Sequence, residues 1–410
     1  MTPQLLFYIL IGIIIAKFLF DTFLDAQNAK HFNDAIPEEL KGIYNTEDYK
    51  KSQAYKKENY KFSVISSTFS LLLTLLFFMF DGFAYVDKIA GNITNNTILI
   101  TLIFFGIILF ASDILTLPFS YYKTFVIEEK FGFNKSTLKT FIFDKIKSWL
   151  LLLIIGGGIL ALLTWFYQLT TTNFWLYSWG LIAVFTIFMN LFYSKLIVPI
   201  FNKQTSLEDG ELKNAIDNFG KKVGFKLDNI FIIDGSKRST KANAYFSGFG
   251  TQKRVTLYDT LIKDLETEEI VAVLAHEIGH YTKKHIIYNL MLSLVLTGFT
   301  FYILSLFVGN QLLSHALGVE TTSFHIGLIS FGILYSPISE ITGFFMNIIS
   351  RKFEYEADDY AKNNYNATAL ISSLKKLSKN SLSNLTPSNL YVKFHYSHPT
   401  LLERIINLKK

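Results

Sequence analysis

"AVLAHEIGHYTKKHIIYNLMLSLVLTGFTFYILSLF", residues 272–307, sets an HExxH pentapeptide a few residues ahead of an apolar run of membrane-spanning length. About 20 apolar residues in a helix cross a hydrocarbon core. Seven such runs fall roughly at 4–24, 62–85, 97–118, 149–168, 174–200, 286–308 and 324–349. Composition agrees. Half of the 410 residues are hydrophobic, 40 are Phe and only 18% are charged. A soluble chain of this length could not hide so much apolar surface, so the sequence reads as a multi-span membrane protein. The formal charge of +6 is modest, and the basic residues form no stripe of the kind that binds nucleic acid. Cysteine is absent, which excludes disulfides, thiolate metal ligands and a cysteine nucleophile. The start, "MTPQLLFYILIGIIIAKFLF", lacks a basic leader and a small-residue cleavage site, and reads as a retained first span.

Charge in the connecting loops sets the topology. Lys plus Arg number seven in 25–61, six in 119–148, thirteen in 201–285 and ten in 351–410. The alternate loops, 86–96, 169–173 and 309–323, hold only Lys88. By the positive-inside rule the N-terminus is outside and the C-terminus inside. The HExxH segment and the C-terminal tail then share the cytosolic face. The chain divides into a membrane region with spans one to five (1–200), a protease-type insertion with the HExxH helix (201–285), spans six and seven (286–349), and a C-terminal part (350–410).

Within the insertion, Leu212, Ile216 and Phe219 have helical spacing, and "LDNIFIIDG" reads as a short buried strand. "NAYFSGFGTQKRVTLYDTL" reads as a hairpin around a Gly-Thr-Gln-Lys-Arg turn. "TEEIVAVLAHEIGHYTKKH" reads as a helix with Thr267 as its N-cap.

His276 and His280, four apart on that helix, project from one face and can share one cation. Glu277 is placed to take a proton from a water held by that cation. Nitrogen and oxygen ligands with an open water position describe catalytic zinc. A third ligand is offered by "SRKFEYEADDYAKN" after the last span. Glu354 could supply a carboxylate oxygen, with Glu356 as its rival, while Asp358 could accept the other N–H of a ligand histidine. In "FHYSHPTLLERI", His398 and Arg404 could stabilise the oxyanion formed when water attacks a peptide carbonyl. His31, His285, His315, His325 and His395 have no useful partner spacing, and His315 and His325 fall on the outer side.

HEIGH, SRKFEYEAD and HYSHPTLLER, together with "YYKTFVIEEKFGFNKST" (121–137) and "KRSTKANAYFSGFG" (237–250), closely resemble the type I CAAX prenyl proteases. The resemblance covers nearly the whole chain and the order of its motifs. It implies a predominantly α fold in which seven transmembrane helices enclose a chamber. A zinc metalloprotease domain with a small β-hairpin or sheet would lie at the cytosolic face. It further implies one Zn²⁺ on His276, His280 and Glu354, Glu277 as general base and Asp358 behind the ligands. His398 and Arg404 would stabilise the transition state. Asn243 and Ala244 would lie on an edge strand that pairs with the substrate backbone. Lys17, Asp113, Asn190 and Glu340, polar residues inside spans, either line the wet chamber or bond between helices.

The implied reaction is cleavage after the prenylated cysteine of a C-terminal CAAX box. Partners are then a peptide or protein substrate, isoprenylated or not, and membrane lipid; no obligate protein partner is implied. The Lys-, Asn-, Ile- and Phe-rich, cysteine-free composition has a bacterial look, which favours a bacterial cytoplasmic membrane over the endoplasmic reticulum. Such a host need not prenylate proteins, so quality control of misfolded membrane proteins stands as the alternative task. A seven-span receptor or transporter with an incidental HEIGH would bind no zinc.

Overall fold

The computed structural model describes residues 1–170, 172–225, 229–248 and 253–410. Seven of its helices are long and apolar enough to cross a membrane: Pro3–Lys30, Thr46–Met79, Thr97–Glu128, Leu138–Leu169, Phe174–Phe201, His285–Phe307 and Phe324–Asn364, here spans one to seven. At most 11% of any span's apolar window is buried. A solid helical bundle would hide a full stripe of each helix in its neighbours. These spans therefore meet along narrow seams and leave most of their apolar surface open.

Several helices outrun their apolar runs, and in two spans the difference changes how the chain is read. The run at 62–85 is not one helix: span two stops at Met79, Asp81 takes a left-handed conformation (φ 51°), and a separate helix runs Gly82–Ile93. Glycine is required at that corner, because a Cβ on residue 82 would lie 2.5 Å from the Phe77 ring. The short helix buries Phe83, Val86 and Ala90 in a cluster with Leu6, Phe104 and Ile326 near the start of span seven. Span four starts at Leu138, well ahead of residue 149, with Thr137 Oγ1 accepting from Thr140 N at 3.1 Å. Its first turns carry Lys139, Asp144, Lys145 and Lys147, so hydropathy alone hid them.

The soluble part is built round one sheet and one helix. Strands β1 (Gln204–Ser206), β2 (Ile230–Ile233), β3 (Ala244–Ser247) and β4 (Arg254–Tyr258) lie in the order β1-β2-β4-β3. The β2–β4 pair is parallel and the other two pairs are antiparallel. The expected hairpin is β3–β4, with Tyr245 opposite Thr256; part of its turn lies outside the described residues. Strand β1 had no sequence signal, since three residues are too few to show alternation. The HExxH helix, Thr267–Thr282, sits at the centre of this core. Its Ile270, Val271, Leu274, Ala275 and Ile278 pack with Ile216 and Phe219, with Val255 and Leu257 of β4, and with Ala361, Leu370 and Leu408 from the tail. The cap is Glu266 rather than Thr267, in a reciprocal capping box with Glu269. Glu269 Oε2 accepts from Glu266 N at 2.9 Å, while Lys376 and Ser372 neutralise and hold the same buried carboxylate.

Candidate active site

Two helices cross where the soluble core meets the spans. One is the HExxH helix. The other is span seven, which continues without a break from Phe324 to Asn364 and so carries residues 354 and 358 well beyond its apolar part. Gly279, inside HEIGH, permits the close crossing: a Cβ there would meet Ala357 backbone atoms at 3.1 Å and the Tyr360 Cβ at 3.0 Å. The tail clamps the same stretch. Arg351 Nη1 donates to Tyr396 O at 2.6 Å and to Val392 O at 3.2 Å, and Asn347 Nδ2 donates to Phe394 O at 2.6 Å.

The crossing brings together His276, His280 and Glu354, whose donor atoms lie within 4.8 Å of one another and could hold a metal ion. The two Nε2 atoms are 3.1 Å apart. Glu354 Oε2 is 3.4 Å from His276 Nε2, and Oε1 is 3.3 Å from His280 Nε2. A tetrahedral cation with bonds of about 2.0–2.1 Å needs donors separated by about 3.3 Å. The triangle fits that ion. A second observation agrees: Glu354 Oε2 is buried and accepts no hydrogen bond, an arrangement that is costly unless a cation sits beside it.

Behind the triangle lies a charged frame. Asp358, fully buried, faces His276 Nδ1 at 2.9 Å. Burial and the Arg404 charge lower the basicity of His276, but Asp358 and Glu354 outweigh both and hold its pKa up at about 9. The pocket therefore favours positive charge at this point. Arg404 grips Asp358 from behind, with Nη2 at 2.6 Å and Nε at 2.9 Å, and its Nη1 lies 3.7 Å from Glu354. Most of the guanidinium fork is thus engaged by Asp358. His398, with its side chain 63% exposed, approaches Glu354 Oε1 to 3.3 Å from the open side. The Glu277 carboxylate has no hydrogen-bond partner among the described residues, and the residue is half-buried.

His285 is a participant that sequence reasoning missed. Lys284 adopts φ 61° and turns the chain between the HExxH helix and span six. That corner folds His285 back, so its Nδ1 meets His280 Nδ1 at 3.0 Å and its Nε2 meets Glu356 Oε2 at 3.0 Å. Glu356, the rival carboxylate, is thereby taken up by His285 and stays outside the triangle. A spacing of five fits no helical period, so only the turn makes the contact.

Strand β3 is terminal in the sheet, so its outer edge pairs with no strand among the described residues. Ala244 begins it, and Asn243 precedes it, with Tyr258 N donating to Asn243 O at 3.1 Å. Phe246 of β3 stacks obliquely on Tyr281, next to His280, at 5.2 Å between centroids. The polar residues inside the spans are partnered. Lys17 pairs with Glu340 at 2.8 Å, Asp113 accepts from Lys145 at 2.7 Å and Trp149 at 2.9 Å, and Asn190 donates to Thr186 O at 3.0 Å. Lys17 and Glu340 also border a cavity of about 540 Å³, and Asp113 one of about 560 Å³.

The chain also matches known proteins along nearly its whole length. Residues 25–203 match the model of the CAAX prenyl protease N-terminal region with five membrane helices, and residues 206–410 match peptidase family M48. CAAX prenyl protease 1 of Saccharomyces cerevisiae is 38% identical over 98% of this chain and 94% of its own length. The CAAX prenyl protease 1 homolog of Homo sapiens is 32% identical over 96% of this chain and 93% of its own. The crystal structure of S. mikatae Ste24p superposes with a TM-score of 0.94 at 36% identity, covering 99% of both chains. The chain is thus an integral, multi-pass membrane metalloprotease and belongs to the CAAX prenyl protease branch of peptidase family M48.

Proposed function

We propose that this protein is a zinc endopeptidase that cuts near the C-terminus of prenylated CAAX substrates. The observation that carries the reading is the convergence of His276, His280 and Glu354, with Asp358 behind His276. A zinc ion held by those three side chains would supply Lewis-acid polarisation and make a nucleophilic water accessible near neutral pH. Glu277 takes one proton from the attacking water as its oxygen bonds to the scissile carbonyl carbon. The same carboxylate returns that proton to the amide nitrogen as the C–N bond breaks. His398 reaches the site from its exposed face and donates to the carbonyl oxygen while negative charge gathers there. Arg404, bound to Asp358 on two of its nitrogens, acts as a positioning group that fixes the His276 ring, in place of the oxyanion role its sequence context suggested. The free edge at Asn243 and Ala244 receives the substrate backbone as an added strand.

The uneven distribution of Lys and Arg supports an orientation with the site on the cytosolic face and the N-terminus outside. A peptide whose lipid tail stays in the bilayer then reaches the site without leaving the membrane surface. The test is cleavage of a farnesylated CAAX peptide beside its unprenylated twin, with and without a zinc chelator. The farnesylated peptide should be cut faster, the chelator should stop cleavage, and added zinc should restore it. Equal cleavage of both peptides would remove the CAAX specificity, and indifference to the chelator would remove the metal.

A further inference from the structure

Between the site-side ends of spans one and two, the loop after helix Ala367–Asn380 closes a cavity of about 400 Å³ whose lining residues include two lysines and an aspartate. Lys56 in its wall is only 8% exposed. The ammonium donates to Asn384 Oδ1 at 3.2 Å and lies 5.8 and 5.7 Å from the Phe32 and Tyr49 ring centroids. Among the described residues no carboxylate forms an ion pair with it. Lys241, in the same wall, is neutralised by Glu128 at 2.8 Å. Asp25 also borders the cavity, and its carboxylate is hydrogen-bonded by Ser63 at 3.4 Å. Lys56 is thus a buried cation whose partners are an amide and two aromatic faces. An ammonium taken out of water is costly unless an anion compensates, and open volume for one lies beside it.

The cavity is next to the start of the free strand edge. Lys241 lines it three residues before Ala244 opens β3. An added strand pairs most favourably in the antiparallel sense. A peptide antiparallel to β3 runs its C-terminus toward residues 241–243, and so toward the cavity. We infer that Lys56 binds the free C-terminal carboxylate of the peptide substrate. The cut is then measured from the end of the chain, because the terminus is held at a fixed place while the bond to be broken lies at the triangle. This inference rests on the endopeptidase reading above.

The test uses the full-length Glu277→Gln protein and a fluorescein-labelled farnesylated CAAX peptide, made once with a free C-terminal carboxylate and once as the amide. The acid should bind about tenfold tighter, the scale of one charge-assisted hydrogen bond. Adding Lys56→Met should bring the acid down to the affinity of the amide, while Lys56→Arg should retain most of the preference. Lys56→Gln serves as a second neutral variant should the methionine protein fail to fold. Equal binding of acid and amide to the parent, or an undiminished preference after Lys56→Met or Lys56→Gln, would overturn the inference. Equal displacement of both peptides by solubilised phosphatidylserine, with no acid-over-amide preference, would assign the cavity to a lipid headgroup and likewise overturn it. Cleavage by the unmodified protein is scored separately. Tighter binding of the acid without cleavage would support the cavity's role and strike the endopeptidase reading alone.

Discussion

Two histidine–aspartate pairs stand at opposite ends of span seven and do different things. At the site, His276 Nδ1 faces Asp358 at 2.9 Å, and its other nitrogen looks across to His280 and Glu354. At the other end, buried His325 Nε2 faces Asp87 at 2.6 Å, while its Nδ1 is buried without a partner and its ring leans on Phe104 at 4.5 Å. This second pair ties the short helix Gly82–Ile93 to the start of span seven and ends there. A histidine–carboxylate contact is therefore structural by default. It becomes chemistry when the second ring nitrogen meets further donors at the edges of a tetrahedron.

The difference can be tested from its strongest consequence downward. Glu354→Ala should empty the triangle, abolishing peptidase activity and bringing the zinc content of the purified protein near zero. Glu356→Ala should leave most of the zinc in place, and the opposite ranking by elemental analysis would mean that the triangle has another corner. Glu277→Gln should retain zinc and thermal stability yet lower the cleavage rate by about 10²–10⁴-fold, the usual scale for loss of a general base. An unchanged rate would remove that assignment. Asp358→Asn should weaken zinc binding by about 10–100-fold in a chelator competition, as expected when the support behind a ligand histidine is altered. Asp87→Asn should leave the zinc affinity unchanged and cost about 1–3 kcal/mol of stability, by weakening the contact that holds a buried imidazole. A change in zinc affinity from Asp87→Asn would erase the distinction between the two ends.

Much of this was legible in the sequence, for identifiable reasons. Seven spans show themselves because a hydrocarbon core demands long apolar runs. The His276 and His280 pair and the Glu354 and Asp358 pair show themselves because a helix repeats every three to four residues. What stayed hidden depends on corners. The break at Asp81 and Gly82 has apolar residues on both sides, so the hydropathy window ran on through a single charged residue. His285 reaches His280 only because Lys284 reverses the backbone, and no periodicity encodes that contact. The need for glycine at 279 could not be read from HEIGH alone, since it arises from the backbone of Ala357, far along the chain. Arg404 was recognisable as a cation near the site, but the side of the site it serves is set by the helix that carries it.

Span seven is a single helix of 41 residues that continues through Pro337, with its apolar stretch first and Glu354 beyond it. At 1.5 Å per residue, Glu354 stands about 45 Å along the helix from its first residue, Phe324. A lean of about 5° pivoting there would carry its carboxylate by roughly 4 Å, on the order of a whole side of the donor triangle. Membrane thickness affects how far transmembrane helices incline, so the cleavage rate is expected to change between proteoliposomes of short and long acyl chains. The grip of Asn347 and Arg351 on the tail is the brake on that lever.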